Sequence, residues 1–344
     1  MAKAKLLLIT FDYELFLGEQ SGAVTQCLIN PTDRLLASLN SYGLKALFFI
    51  DTVYLSRLKE MAENYSQAKA DLDNINRQLI KIVKEGHEIH PHIHPHWMDA
   101  IYDPENREWQ LMDKSYYAFS SLQVDKQAML FEDSMKLIRK VLEEADSKQP
   151  VDAYRAGGWS IQPFSHFKPF FIQHGITHDW SVIPGRYHFS DAHSFDFRQA
   201  PAEKPVYRFS EDVCLEDKNG RFTEWTISTL TLSRFEKWID FKISGLIRRL
   251  RWNEPLKGST VSSVTTGEGD IYNDNIKVRM IASFEGLNPY RLRQYLAAIK
   301  KTNYFQFISH PKLITNREFK MIGSLFKSIH KIGDIETDFR KFVP

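Results

Sequence analysis

The chain has 344 residues, 43% of them hydrophobic and 26% charged, with a formal net charge of +2. The length suits one large α/β barrel and the composition an ordinary globular protein. A balance this close to neutral offers no electrostatic case for nucleic acid or for an anionic membrane. Cys27 and Cys214, the only two cysteines, make neither a disulfide framework nor a thiolate metal site. The apolar run Leu6 to Ile9 is too short for a signal-peptide core. No run approaches the ~20 apolar residues of a membrane span. The expectation is a cytoplasmic protein.

In chain order, residues 4–11 form an unbroken apolar run, the pattern of a strand buried on both faces. The run ends in Asp12-Tyr13-Glu14. Asn30-Pro31 opens a helix whose Leu35, Leu36 and Leu39 share one face, and Gly43 closes it. Residues 46–51 read as a second buried strand. Helix follows over 53–85, with a polar break near 64–69. Next comes the densest feature of the sequence, Gly86 to Trp97, with His87, His90, His92, His94 and His96: five of the twelve histidines. Imidazole is the commonest protein metal ligand, so a metal site is sought here first.

Residues 98–124 read as a long, aromatic-rich, irregular loop. A helix is predicted over 125–145, a strand from Ala153 into the Gly157-Gly158 turn, a helix over 163–174 and a strand over 177–182. Antiparallel strands are expected over 194–230, with Asn219-Gly220 as a hairpin signal. Ser233 and Glu236 form a capping box for a helix to about Arg249, and the basic stretch Arg248 to Trp252 reads as its solvated end. Residues 253–275 suggest a mobile polar loop. A strand over 277–283, a helix from Asn288-Pro289 to Lys300, a strand over 304–309 and a helix over 315–331 complete the chain.

Strands alternating with helices argue for an α/β protein with a mostly parallel sheet. Asp12, Glu14, the histidines at 92–96, Arg155, Asp179 and His310 all fall at or just past C-terminal strand ends. In a barrel those ends converge on one face, where catalytic groups gather.

Together these motifs resemble the polysaccharide deacetylase family. Thr10-Phe11-Asp12 resembles its first motif, and Gly43 to Ile50 its second strand. Gly86-His87-Glu88-Ile89 is similar to the lead-in to its H-x-x-x-H metal motif. Tyr154-Arg155-Ala156, the stretch around Asp179, and Ile308-Ser309-His310 resemble its later motifs. The resemblance implies a distorted (β/α)7 barrel, here a single domain over 1–344 with a small antiparallel β insertion. It implies metal-dependent removal of an N-acyl group from an amino sugar or glycan. One departure stands out: where the family commonly has a second aspartate, this chain has Tyr13, with Glu14 one residue on. The glycine that usually completes the motif is missing too. Alternate strand residues point the same way, so Asp12 and Glu14 share a face if the backbone stays extended.

The resemblance then assigns roles. Glu14, His92 and His96 are the expected metal ligands, with His90 and His94 a rival pair of the same spacing. The ion is divalent, zinc first, with cobalt, nickel, iron or manganese also compatible. Asp12 is the candidate general base, Arg155 its charge partner, His310 the candidate general acid, and Asp179 a partner for His310 or Arg155. Trp97, Trp159 and Trp180 are candidate platforms for a sugar ring. Two other readings stay open: a hydrolase of linear or cyclic amides of the ureide type, and an inactive glycan-binding barrel.

Overall fold

The N-terminal apolar run becomes a strand buried from Leu6 to Tyr13. The structure, a computed structural model, describes residues 5–18, 20–111, 116–249 and 265–342. In chain order these form β1 (Lys5–Tyr13), α1 (Asn30–Ser41), β2 (Leu47–Asp51), α2 (Thr52–Ala62), α3 (Ser66–Lys84) and β3 (Glu88–Ile93). A short hairpin, β4 (Ile101–Asp103) and β5 (Glu108–Gln110), precedes α4 (Val124–Glu144), β6 (Ala153–Ala156), α5 (Lys168–His174) and β7 (His178–Asp179). Next are β8 (Arg186–Ser190), β9 (Ser194–Asp196), β10 (Val206–Phe209), β11 (Phe222–Trp225) and β12 (Thr229–Ser233). The chain continues through α6 (Arg234–Arg249), β13 (Thr265–Asp270), β14 (Lys277–Ile281), α7 (Pro289–Lys301), β15 (Tyr304–Ser309), α8 (Asn316–His330) and β16 (Ile335–Glu336).

Seven strands run parallel, in the order β11-β7-β6-β3-β2-β1-β15. The gap between β11 and β15 is bridged by single bonds. Tyr304 Oη donates to Thr226 O (2.9 Å), Gln306 N to Ser228 Oγ (3.0 Å) and Ile308 N to Ala282 O (3.0 Å). The sheet therefore curls into a distorted α/β barrel. Side-chain parity along β1 sorts its two faces. Leu6 and Leu8 pack inside with Leu47, Phe49, Trp180 and Trp225, whereas Leu7, Ile9 and Phe11 join the larger layer that contains the helix residues Leu35, Leu36 and Leu39. Thr10, Asp12 and Glu14 share the inward parity of Leu6 and Leu8. The same step along β3 carries Glu88, His90, His92 and, just past the strand, His94.

The antiparallel region differs from its sequence reading in two ways. Phe222–Trp225 is a stave of the barrel, parallel to β7 on one side and antiparallel to β10 on the other. Asn219-Gly220 lies in a longer connection over 210–221, with Gly220 packed on the Phe209 backbone. A separate three-stranded sheet, β13-β8-β9, stands beside the barrel mouth. Of the loop expected over 253–275, residues 265–270 are its β13, fixed by pairing with β8 and not by their own Gly- and Thr-rich composition. Residues 253–264 lie outside the described residues. The expected irregular loop over 98–124 carries the β4-β5 hairpin.

The opposite end of the barrel is plugged by the C-terminal turn. Phe339 is fully buried against His178, Trp180 and Trp225. Arg340 grips Glu88 with two bonds (2.7 and 3.0 Å) and Asp152 with two more (2.6 and 2.9 Å). Burial opposes charge on Glu88, yet hydrogen bonds from His90 and Arg340 bring its carboxyl from 4.5 to about 2. Arg340→Ala leaves two half-buried carboxylates facing each other and is expected to cost about 1–3 kcal/mol in urea unfolding. A depressed carboxylate stabilises the fold above its unfolded value. The Glu88 contribution is therefore complete above pH 4.5 and is lost as pH falls through about 2. The difference between wild type and Arg340→Ala should shrink over that range.

Candidate active site

The inward residues of β1 and β3 meet at the barrel's C-terminal end. Glu14, His92 and His94 are buried and present ligand atoms that all lie within 4.8 Å of one another. His94 Nε2 is 2.7 Å and His92 Nε2 3.4 Å from the same Glu14 oxygen, and the two nitrogens are 3.0 Å apart. That oxygen, Oε2, is buried and makes no directed hydrogen bond. Three donors thus crowd a common centre, two imidazoles and a carboxylate, which is the donor set that a divalent ion fits.

Neighbours prepare the donors. His92 Nδ1 lies 2.8 Å from the Arg155 carbonyl, an acceptor, so Nδ1 carries the proton and Nε2 keeps its lone pair for a metal. Burial disfavours the Glu14 charge, but Lys312, at 2.8 Å, and His94 hold its carboxyl well below the usual range. Gly157, after β6, allows close approach: a Cβ there would sit 2.4 Å from Ile93 O and 2.8 Å from His94 Nδ1.

Asp12 stands beside this group. Its Oδ1 accepts from Arg155 Nη1, while Oδ2 is 3.6 Å from His310 Nε2. Burial works against its charge, and Arg155, His92 and His310 nevertheless bring it below the ordinary value. His310 Nε2 is also 3.6 Å from Glu14 Oε1, and its Nδ1 is 2.7 Å from Glu285 Oε1. Burial opposes the imidazolium, but Glu285, with Asp12 and Glu14, pushes His310 up to about 9. Above lies a cleft of ≈ 670 Å³, walled by Trp159, Tyr117, Phe195 and the β8 and β13 strands. Trp159 holds a left-handed backbone (φ 57°) as it presents its ring to this cleft.

Four of the expected residues stand elsewhere than their expected roles require. His94 occupies the place expected for His96. The extended backbone keeps His92 and His94 on one face; Pro95 then starts a 3₁₀ turn that takes His96 out of the three-donor group, its ring edge-on to His94 and stacked on Tyr117, both at 5.1 Å. Asp179 does not serve His310 or Arg155. Its carboxylate accepts from Ser181 N (3.2 Å) and Oγ (2.9 Å), and Glu285 stands behind His310 instead. Trp97 is fully buried, donates to Asp51 and packs on Tyr54 and Trp109. Trp180 is fully buried in the barrel interior against Trp225. Of the three tryptophans, Trp159 alone lines the cleft. Glu285 and Lys312 had no local signal beyond Lys312 lying two residues past His310.

No protein-family model matches the sequence, and no curated protein does. Among solved structures, the chain is similar to a protein assigned as a polysaccharide deacetylase from Mycobacterium smegmatis, at 12% identity and TM-score 0.46, over 97% of this chain and 87% of that one. It is also similar to the catalytic domain of a peptidoglycan N-acetylglucosamine deacetylase from Eubacterium rectale ATCC 33656, at 10% identity and TM-score 0.36, over 97% and 87% of the two chains. A peptidoglycan deacetylase from Bacillus subtilis matches at 18% identity and TM-score 0.25, over 45% of this chain and 50% of that one.

Metal analysis of purified variants checks the donor set. His92→Ala, His94→Ala and Glu14→Gln should each lower bound metal by at least about tenfold, whereas His96→Ala should retain it. Gly157→Ala should lower bound metal and Tm together, because the added methyl meets the Ile93 carbonyl as well as the His94 ring.

Proposed function

We propose that the protein is a metal-dependent hydrolase that removes an N-acetyl or related acyl group from an amino sugar or glycan. The observation that carries this reading is the facing pair Asp12 and His310 beside the Glu14/His92/His94 group, Asp12 held by buried Arg155 and His310 by partly exposed Glu285. Asp12, its charge fixed by Arg155, keeps Oδ2 free to take a proton from the attacking water. His310, kept protonated by Glu285, has Nε2 in position to give a proton to the departing amine. A divalent ion in the three-donor group would supply Lewis acidity, polarising the acyl oxygen and lowering the pKa of water. Two imidazoles and a carboxylate favour zinc. Trp159, partly exposed at the cleft wall, offers an apolar face to a sugar ring.

The Tyr13 departure, which raised an inactive barrel as an alternative, leaves this chemistry intact. Tyr13 points into the helix layer and donates to Gln78 (2.8 Å), while Glu14 delivers the carboxylate to the centre. The test is acetate release from N-acetylated amino-sugar oligomers, with a cyclic amide run in parallel. Metal-loaded wild type should turn over the sugar, and a chelator should abolish the rate. Asp12→Asn should keep its metal while kcat falls about 10²–10⁴-fold. Equal rates with and without metal would overturn the reading, and turnover of the cyclic amide alone would move it to the ureide type.

A further inference from the structure

Twelve large apolar side chains stand exposed among the described residues, and six of them fall in two segments: Phe235, Trp238 and Phe241 on α6, and Ile271, Tyr272 and Ile276 in the β13–β14 turn. The segments are joined. Arg234 N donates to Ile276 O (2.7 Å) and Arg234 Nε to Asp274 O (2.9 Å). Phe235 and Trp238 stack with ring centres 5.9 Å apart, on the face of α6 turned from the barrel. Exposed aromatic and aliphatic side chains gathered on two joined segments mark an interaction surface.

Its charge decides what it fits. Exposed cations interleave the patch: Arg234, Lys237, Lys242 and Lys277. The acids of α6 are turned elsewhere. Glu236 accepts from Ser233 N (2.7 Å), and buried Asp240 is paired with Arg291 (2.7 Å). Asp274, in the turn, takes the amides of Ile276 and Lys277 on Oδ1 (both 2.6 Å) and is one exposed carboxylate against these four cations. Aromatic rings set among lysines suit the boundary of a bilayer, where rings enter the headgroup layer and cations meet anionic lipid. A protein partner would call for a more enclosed and less basic face. No helix among the described residues is long and apolar enough to cross a membrane.

The geometry points to a peripheral docking surface for an anionic membrane, formed by α6 and the β13–β14 turn. Asp270 and Asn273, which flank Ile271 and Tyr272, line the cleft, so docking sets the cleft mouth against the headgroup layer. The inference is independent of the reaction proposed above. The chain's near-neutral total conceals this basic, aromatic face.

Flotation of the full chain with phosphatidylcholine vesicles, with and without phosphatidylglycerol, tests it. Wild type should float with the anionic vesicles at low salt and bind at least about tenfold less to phosphatidylcholine alone. The triple variant Phe235→Ser, Trp238→Ser, Phe241→Ser should lose binding by about tenfold or more, with unchanged Tm because the side chains are exposed. Lys237→Gln with Lys242→Gln should weaken binding severalfold and flatten its salt dependence. Wild type left in the soluble fraction, or a triple variant that still floats, would overturn the proposal. So would a wild-type dimer in light scattering that the triple variant converts to monomer, which would assign the patch to a second copy.

Discussion

A fully buried guanidinium organises this molecule. Arg155 has no exposed surface, and a charge so placed survives only if every donor is met. Nη1 meets Asp12, Nη2 Thr10 Oγ1 (2.8 Å) and Nε the Trp180 carbonyl (3.0 Å), while the Phe49 ring lies 4.2 Å away. These partners sit on β1, β2 and the segment after β7. The same residue's carbonyl fixes the His92 ring. One position on β6 therefore sets the candidate base through its side chain and a candidate metal ligand through its backbone. Removing the side chain alone would leave buried Asp12 with only its imidazole neighbours, His310 at 3.6 Å, without releasing His92.

The barrel is gripped by arginine at two levels. Arg155 holds the middle, where the strands have begun to part. Arg340 holds the far end, tying Glu88 at the start of β3 to Asp152 just before β6. Between them lies the apolar plug of Trp180, Trp225 and Phe339. Water is thus excluded from below, and the polar groups of β1 and β3 are met by each other, by Arg155, Lys312 and Arg340, or from the cleft above. That enclosure keeps Asp12 and Glu14 close together and makes their cationic neighbours necessary.

Strand parity made much of this legible in advance. Asp12 and Glu14, two apart on an extended segment, had to share a face, and they do. Arg155 and His310 reached the centre because a parallel sheet brings its C-terminal strand ends together. Parity also contained the histidine pair that faces Glu14. An extended chain places His92 with His94, but the spacing of the resembling motif favoured His96, which needs a turn that Pro95 directs elsewhere. What stayed hidden depends on contacts between distant residues. Glu285 lies 25 positions before His310, and Lys312 lies 298 beyond Glu14. Trp97 and Trp180 had aromatic character without an orientation. Phe222–Trp225 became a stave only by pairing with a β7 of two residues.

The misplaced aspartate explains how the interior balances its charge. Asp179 and Glu224 face one register position on β7 and β11, and both are fully buried. Ionising both beside Asp12 would set three carboxylates against one guanidinium. Burial, and for Glu224 the charge of Asp179, push both above their ordinary values, Glu224 much the further. The two carboxyls therefore titrate as a pair that holds one proton between them, with Ser181 bonded to the Asp179 side. Holding one carboxyl neutral leaves less negative charge to compete for Arg155, so the guanidinium acts chiefly on Asp12. By this account, Asp179 influences the candidate base through the charge balance of the barrel interior and without contact with the acid, His310.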